Sequence, residues 1–167
     1  MNRLEIIPGI CTAANLLLGV SAIASMLNSS YKQSVILIVL AAVLDRFDGF
    51  LARRCNAVSS FGKEFDSLAD LVSFGVAPAT LLYITALNYN LNTPGLVCSG
   101  LFTLCGALRL ARFNISENTT YFTGIPITFA GALLALLIPF IPGATALLAL
   151  SLLLSLGMIS TVRIPKI

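Results

Sequence analysis

Three long stretches of this 167-residue chain carry no charged side chain, and they constrain its fold more than any other feature. The stretches cover residues 6–31, 71–108 and 118–162. An apolar segment of about 20 residues is long enough to cross a bilayer as a helix. Only 10% of all residues are charged, against about 25% in soluble domains, and a chain this hydrophobic is not expected to be disordered. The sequence therefore predicts an integral membrane protein.

The number of spans follows from turn signals and from the remaining charges. Turn-forming residues at 88–95 and 141–143 divide each of the two longer stretches into parts of two helices. Two further helices reach spanning length only by including the charged residues between positions 45 and 70. We therefore predict an all-α, polytopic membrane protein with six transmembrane helices, forming a single domain over residues 1–167. The spans are expected near residues 8–27, 34–54, 62–87, 95–113, 124–141 and 143–161.

Lysine and arginine residues predict the orientation, because they are concentrated in the cytoplasmic loops of membrane proteins. With six spans, both termini lie on the same side of the membrane. One side then holds Lys32 alone, and the other holds Arg3, Arg53, Arg54, Lys63, Arg109, Arg112, Arg163 and Lys166. Both termini and the loops at 54–61 and 114–123 are therefore expected in the cytoplasm. The first apolar segment lacks the features of a signal peptide.

Several classes of function are disfavoured by composition. The net charge of +3, without a basic stripe, does not indicate nucleic-acid binding. A zinc site is not expected, because the chain has no histidine and no paired cysteine motif. Its four cysteines are scattered through apolar segments, which favours packing roles over disulfides. Any bound metal should be a hard ion that prefers oxygen ligands.

All four aspartates of the chain lie within one 26-residue window. Asp45 and Asp48 are three residues apart and Asp66 and Asp70 are four apart, so each pair shares a helix face. The two helices are consecutive and antiparallel, which places both pairs at similar depth. Because four facing carboxylates cannot all stay ionised without cations, we predict two divalent ions, Mg²⁺ or Mn²⁺. Buried aspartate–arginine pairs that fix helix packing are the alternative.

Small and basic residues near the acids are suited to a ligand. Gly49 and Ala52 follow Asp48, and Arg53 is suited to pair with a phosphate. Gly62 opens the next helix, whose N-terminus favours an anion. Close helix packing explains each glycine equally well.

Taken together, these residues resemble the signature of the CDP-alcohol phosphotransferase family. The match covers every fixed position and spacing in Asp45-x2-Asp48-Gly49-x2-Ala52-Arg53-x8-Gly62-x3-Asp66-x3-Asp70. Residues 65–79, 108–114 and 121–126 are further similar to stretches of the integral-membrane phosphatidylserine synthases, and an archaetidylserine synthase is equally compatible. The first span and the C-terminal third resemble the family only in hydrophobicity and length.

The resemblance implies a six-helix membrane enzyme, commonly a homodimer, with two metal ions at its cytoplasmic end. Such an enzyme transfers the phosphatidyl group of CDP-diacylglycerol, or the corresponding group of CDP-archaeol, to the hydroxyl of L-serine and releases CMP. The resemblance assigns the four aspartates to the metals and Asp70 also to the serine hydroxyl, as its base. It assigns nucleotide contacts to Asp48, Gly49, Ala52, Arg53 and Gly62.

Two arginines stand beside the acids at the end of the fourth span. Arg109 and Arg112 are three residues apart, and we expect one or both to bind the serine carboxylate or the transferring phosphate. Anchoring at the cytoplasmic face is the alternative. Weaker candidates, whose roles the sequence leaves open, are Pro8, Asn15, Lys63, Glu64, Asn114 and Thr123.

Three other functions compete with this reading. A sister enzyme using glycerol 3-phosphate or inositol phosphate should carry more basic residues near the site. A divalent-cation transporter should carry acids along a whole permeation path, whereas the outer halves of the predicted spans have none. A prenyltransferase should space its aspartates differently.

Overall fold

The structure is a computed structural model that describes residues 3–54, 59–115, 121–160 and 163–165, with side chains at 9–47, 59–115 and 124–160. Its long elements are all α-helices. They are α1 (Arg3–Leu27), α2 (Tyr31–Arg54), α3 (Ser60–Asp70), α4 (Ala77–Asn88), α5 (Asn92–Ile115), α6 (Ile127–Leu137) and α7 (Ala144–Ile159). A π-helical segment, Leu71–Val76, joins α3 to α4 without a break. The predicted all-α class is confirmed for these elements.

Three helical stretches are long and apolar enough to cross a membrane, namely Gly9–Leu27, Ser60–Asn88 and Asn92–Ile115. Helix α2 has 24 residues, but charged side chains occupy its second half. Helices α6 and α7 are apolar and shorter, with 11 and 16 residues. The six predicted segments therefore correspond to α1, α2, the continuous α3–α4 helix, α5, α6 and α7.

Large apolar side chains cover the outside of the bundle. Leu17 of α1 is 66% exposed, and Leu153 of α7 is also 66% exposed. Apolar residues are exposed on α2, α5 and α6 as well, including Ile36, Leu101 and Phe129. Such a surface requires a hydrocarbon environment rather than water, in agreement with the length of the helices.

Two short strands were not predicted. Strand β1 (Tyr121–Thr123) precedes α6, and β2 (Arg163–Pro165) follows α7. They pair antiparallel, with Phe122 opposite Ile164. Helices α6 and α7 are consecutive and joined by a short loop. The start of α6 therefore lies beside the end of α7, and this brings the two strands together. A segment of three residues is too short to show the alternation of apolar and polar side chains that indicates a strand.

The π-helical segment was not predicted either. The backbone N–H of Ala77 donates to the carbonyl of Val72, five residues back, instead of four. One extra residue in a turn changes the phase of the helix by about 100°, because an α-helix has 3.6 residues per turn. The segment therefore sets which direction the acids of α3 face relative to the apolar residues of α4.

Neighbouring helices approach the π-helical segment closely through glycines. A Cβ on Gly131 of α6 would overlap the backbone carbonyl of Phe74, and one on Gly19 of α1 would overlap Ser73. Phe74 itself is fully buried. Small residues of this kind let helix backbones pack against each other inside membranes. The segment thus lies at the centre of the bundle, between α1 and α6.

We predict that Gly131→Ala destabilises the protein, because its added methyl group overlaps backbone that cannot move aside as a side chain does. Overpacking of this kind costs about 1–3 kcal/mol. Gly100→Ala on α5 is the matched control, since a Cβ there meets nothing within 4 Å. The thermal midpoints of both variants are measured in detergent with a thiol-reactive dye. The dye reports the exposure of the buried Cys98 and Cys105 on heating. Equal thermal midpoints for the two variants would contradict the prediction.

Candidate active site

Three of the four aspartates meet where α2 and α3 approach each other. One carboxylate oxygen from each of Asp45, Asp66 and Asp70 lies within 4.8 Å of the others. Asp45 is also in hydrogen-bonding contact with Asp70 and with Thr128, near the start of α6. Anionic groups this close repel each other unless a cation or a proton lies between them. The cluster offers only hard oxygen donors, and it therefore fits a divalent ion such as Mg²⁺ or Mn²⁺.

Four of the predicted site residues lie outside the part of the chain whose side chains are described. These are Asp48, Gly49, Ala52 and Arg53, where the backbone of α2 continues as a helix. Their predicted roles in metal and nucleotide binding stay predictions. The side chains of Pro8 and Thr123 likewise lie outside the described residues.

The three carboxylates line a cavity of about 760 Å³. Its wall is mixed, because apolar side chains from α2 and α6 line it together with the acids, Arg46 and Arg109. The apolar members include Val39, Val43 and Phe129. Val43 and Phe129 are also among the exposed large apolar side chains. The cavity therefore opens between α2 and α6, and it offers both an apolar and a charged environment.

Arg109 is the buried cation of this cavity. It is 8% exposed, and its Nε atom has no hydrogen-bond partner among the described residues. Its charge interacts with Asp70. A buried guanidinium with an unused donor, facing a cavity, is suited to bind an anionic group of a ligand.

Arg112 has different surroundings. It is exposed, and its Nη1 donates to the backbone carbonyl of Ile159 at the C-terminal end of α7, at 3.0 Å. It is not among the residues that line the cavity. The structure thus places only Arg109 of the two predicted arginines at the acids.

Gly62 contributes to the N-terminus of α3 rather than to the cavity wall. Its backbone N–H donates to the hydroxyl of Ser59, which caps the helix, at 3.1 Å. Gly62 is absent from the cavity lining among the described residues. Its predicted contact with a nucleotide therefore stays a prediction.

Several weaker candidates form a link between α3 and the end of α5. The Nδ2 of Asn114 donates to Glu64 Oε2 and to Ser67 Oγ, both at 3.0 Å. Lys63 donates to the backbone carbonyl of Asn114 at 3.0 Å and lies 5.3 Å from the ring centroid of Phe113. Ser67 and Phe113 also line the cavity. The link therefore holds α3 and α5 together beside the acids.

Sequence reasoning missed Thr128 and left Asn15 undecided. Thr128 lies two residues after Pro126, which precedes α6, and only the packing of α6 against α2 brings it to Asp45. Asn15 donates from Nδ2 to Asp70 Oδ1 at 3.2 Å. The structure therefore shows Asn15 in a hydrogen bond between α1 and α3. In the sequence, the signal that could have indicated both residues is that each is polar and lies within an apolar segment.

Comparison with known proteins relates this chain to a family of lipid enzymes. Residues 5–162 match the sequence model of the CDP-alcohol phosphatidyltransferase family. A CDP-diacylglycerol–serine O-phosphatidyltransferase of Helicobacter pylori is 40% identical, over 99% of this chain and 74% of the relative. One from Bacillus subtilis is 46% identical over 78% of this chain and 74% of the relative. An archaetidylserine synthase of Methanothermobacter thermautotrophicus is 37% identical over 74% of this chain and 54% of the relative.

Proposed function

The chain belongs to the CDP-alcohol phosphatidyltransferase family, and we propose that it is a phosphatidylserine or archaetidylserine synthase. It transfers the phosphatidyl group of CDP-diacylglycerol, or the corresponding group of CDP-archaeol, to the hydroxyl of L-serine and releases CMP. The observation that carries this proposal is the aspartate cluster in an open cavity with a partly apolar wall. The choice of serine is supported by the names of the relatives.

The two sides of the cavity suit the two parts of a CDP-lipid. Val43 and Phe129 are exposed apolar members of its lining, beside which the hydrocarbon chains would remain in the membrane. The acids and Arg109 lie on the charged side, where the diphosphate and serine belong. One site can therefore combine a lipid substrate with substrates that arrive from water.

The acids are the proposed metal ligands. Asp45, Asp66 and Asp70, together with Asp48 as the sequence spacing predicts, would hold two divalent ions, Mg²⁺ or Mn²⁺. When bound, these ions neutralise the diphosphate and stabilise the departing CMP. The fit of the residues rests on their oxygen donors and on the proximity of the three described carboxylates.

Asp70 is the proposed base. A serine hydroxyl is a weak nucleophile and needs a nearby group to accept its proton. The serine oxygen forms a bond to the β-phosphorus that carries the lipid, the bond from that phosphorus to the oxygen of CMP breaks, and Asp70 takes the hydroxyl proton. Arg109 binds the serine carboxylate or the transferring phosphate. Nucleotide contacts are proposed for Asp48, Gly49, Ala52, Arg53 and Gly62.

We propose six membrane spans within one domain over residues 1–167, both termini in the cytoplasm, and an active site that faces the cytoplasm. Helix α6 is followed by a turn over residues 138–141, in which the N–H of Ile141 donates to the carbonyl of Leu137, and the proposed span includes this turn. Helix α2 crosses despite its charges, since its acids lie in the site rather than in lipid. The excess of lysine and arginine on one side supports the orientation, and the family resemblance supports a homodimer.

The proposed activity predicts incorporation of radiolabelled serine into lipid. Purified protein in mixed micelles with CDP-diacylglycerol or CDP-archaeol, and with Mn²⁺ or Mg²⁺, should form labelled product and CMP. Asp70→Asn should lower the rate about 10²- to 10⁴-fold, because it removes the base, and chelation by EDTA should abolish activity. Glu64→Gln is the matched control, since Glu64 lies on the same helix outside the cavity lining.

The same assay with other acceptors distinguishes a serine-specific enzyme from its sister enzymes. Glycerol 3-phosphate and inositol phosphate should give no product at concentrations at which serine does. Product from either of them, with none from serine, would contradict the proposed substrate and leave the family assignment intact.

The two arginines should behave differently when each is replaced by alanine. Arg109→Ala should lower kcat/KM for serine about 10- to 100-fold, because it removes a buried charged donor. A rise in serine KM would indicate contact with the serine carboxylate, and a fall in kcat alone would indicate contact with the transferring phosphate. Arg112→Ala loses one exposed hydrogen bond and should stay within about threefold of the parent. Equal losses in both variants would contradict the assignment to Arg109.

The proposed orientation predicts which positions react with an impermeant thiol reagent in intact cells. In a variant whose four native cysteines are replaced by serine or alanine, Lys32→Cys should react from outside the cell. Ser60→Cys, near the start of α3, should react only after the cells are opened. The reverse pattern would show that the active site faces outward.

A further inference from the structure

A buried amide on α1 contacts the proposed base from outside the cavity. Asn15 is fully buried, and its Nδ2 donates to Asp70 Oδ1 at 3.2 Å. It is not among the residues that line the cavity, and the described part of α1 supplies no acid to the site. The amide must present its nitrogen here, because its oxygen would repel a carboxylate oxygen. Asn15 therefore acts on Asp70 without standing in the way of a ligand.

The backbone around Asn15 is fixed to the segment that follows Asp70. Ser73 of the π-helical segment donates from its hydroxyl to the backbone carbonyl of Asn15 at 2.9 Å. Gly19, one turn further along α1, lies so close to Ser73 that a Cβ would overlap it. The amide and the carboxylate are consequently held in one register by two contacts that Ser73 makes with α1.

The amide of Asn15 is only half used. Its Oδ1 is buried and has no hydrogen-bond partner among the described residues. Burial of an unpaired acceptor destabilises a fold, and a leucine of similar size would avoid that loss. An amide with one unpaired end therefore contributes little to stability, but it is suited to hold a carboxylate in position.

We propose that Asn15 is the positioning residue for Asp70, an inference that rests on the proposed metal-binding role of that acid. A hydrogen bond to one carboxylate oxygen restricts rotation of the group and thereby sets the direction of its second oxygen. Outer partners of metal ligands act in this way, and their loss weakens metal binding or activity about 10- to 100-fold.

The test compares loss of the amide with loss of another buried hydrogen bond of α1. Asn15→Leu removes the amide and keeps the approximate volume of the side chain. Asn15→Ala is a second variant, which removes the amide without introducing a branched side chain. Ser34→Ala is the matched control, because the Ser34 hydroxyl donates a buried hydrogen bond to the carbonyl of Ala22, two turns from Asn15. Binding of Mn²⁺ is measured by electron paramagnetic resonance on the full chain in detergent without substrates, together with the thermal midpoint.

We expect the half-saturating Mn²⁺ concentration to rise about 10- to 100-fold in both Asn15 variants and to stay within twofold in Ser34→Ala. Ser34→Ala and Asn15→Ala should lower the thermal midpoint, and Asn15→Leu should lower it less than Asn15→Ala, because leucine fills the site without burying an unpaired acceptor. Unchanged Mn²⁺ binding in a folded Asn15 variant overturns the inference, and so does equal weakening in Ser34→Ala. Failure of both Asn15 variants to fold, while Ser34→Ala folds, also overturns it by assigning the amide to stability. A parent protein that binds no Mn²⁺ contradicts the proposed metal site itself, a result distinct from the other outcomes.

Discussion

Enclosure of three carboxylates in a bundle of apolar helices, with Asp70 buried and Asp45 and Asp66 half-buried, is the constraint on which the rest of the structure depends. Charged groups at such depth are unfavourable unless something compensates them. Separate helices supply that compensation: α1 contributes an amide, α5 a guanidinium and α6 a hydroxyl to Asp45 and Asp70. The acids nevertheless leave a cavity beside them instead of closing into pairs. Arrangement around an open space agrees with the proposed metal site, for which aspartate–arginine pairs that hold helices together are the alternative.

Much of this arrangement could be predicted from the sequence, because it depends on local spacing. The length of uncharged stretches predicts the helices, and intervals of three and four residues place acids on one helix face. Asp45, Asp66 and Asp70 converge as the antiparallel arrangement predicts, and the predicted family is confirmed. Asp48 belongs to the same pattern, and its role stays a prediction.

Other features depend on which helix packs against which, and local spacing does not contain that information. Arg109 and Arg112 look equivalent in sequence, yet the end of α7 provides a carbonyl for Arg112 alone. The contact of Asn15 with Asp70 requires α1 to lie against the π-helical segment. That segment is in turn approached closely by the backbones of α1 and α6 at Gly19 and Gly131. The two short strands meet because the start of α6 lies beside the end of α7.

The apolar border of the cavity at Val43 and Phe129 determines how concentration should be understood for this enzyme. A lipid that enters between α2 and α6 arrives by lateral diffusion in two dimensions. Its effective concentration is then its mole fraction in the membrane, and adding inert lipid or detergent dilutes it without changing the assay volume. Serine, in contrast, is governed by its molarity in water. The two substrates of one reaction are thus measured on different scales, and a Michaelis constant for the lipid has meaning only for a stated membrane composition.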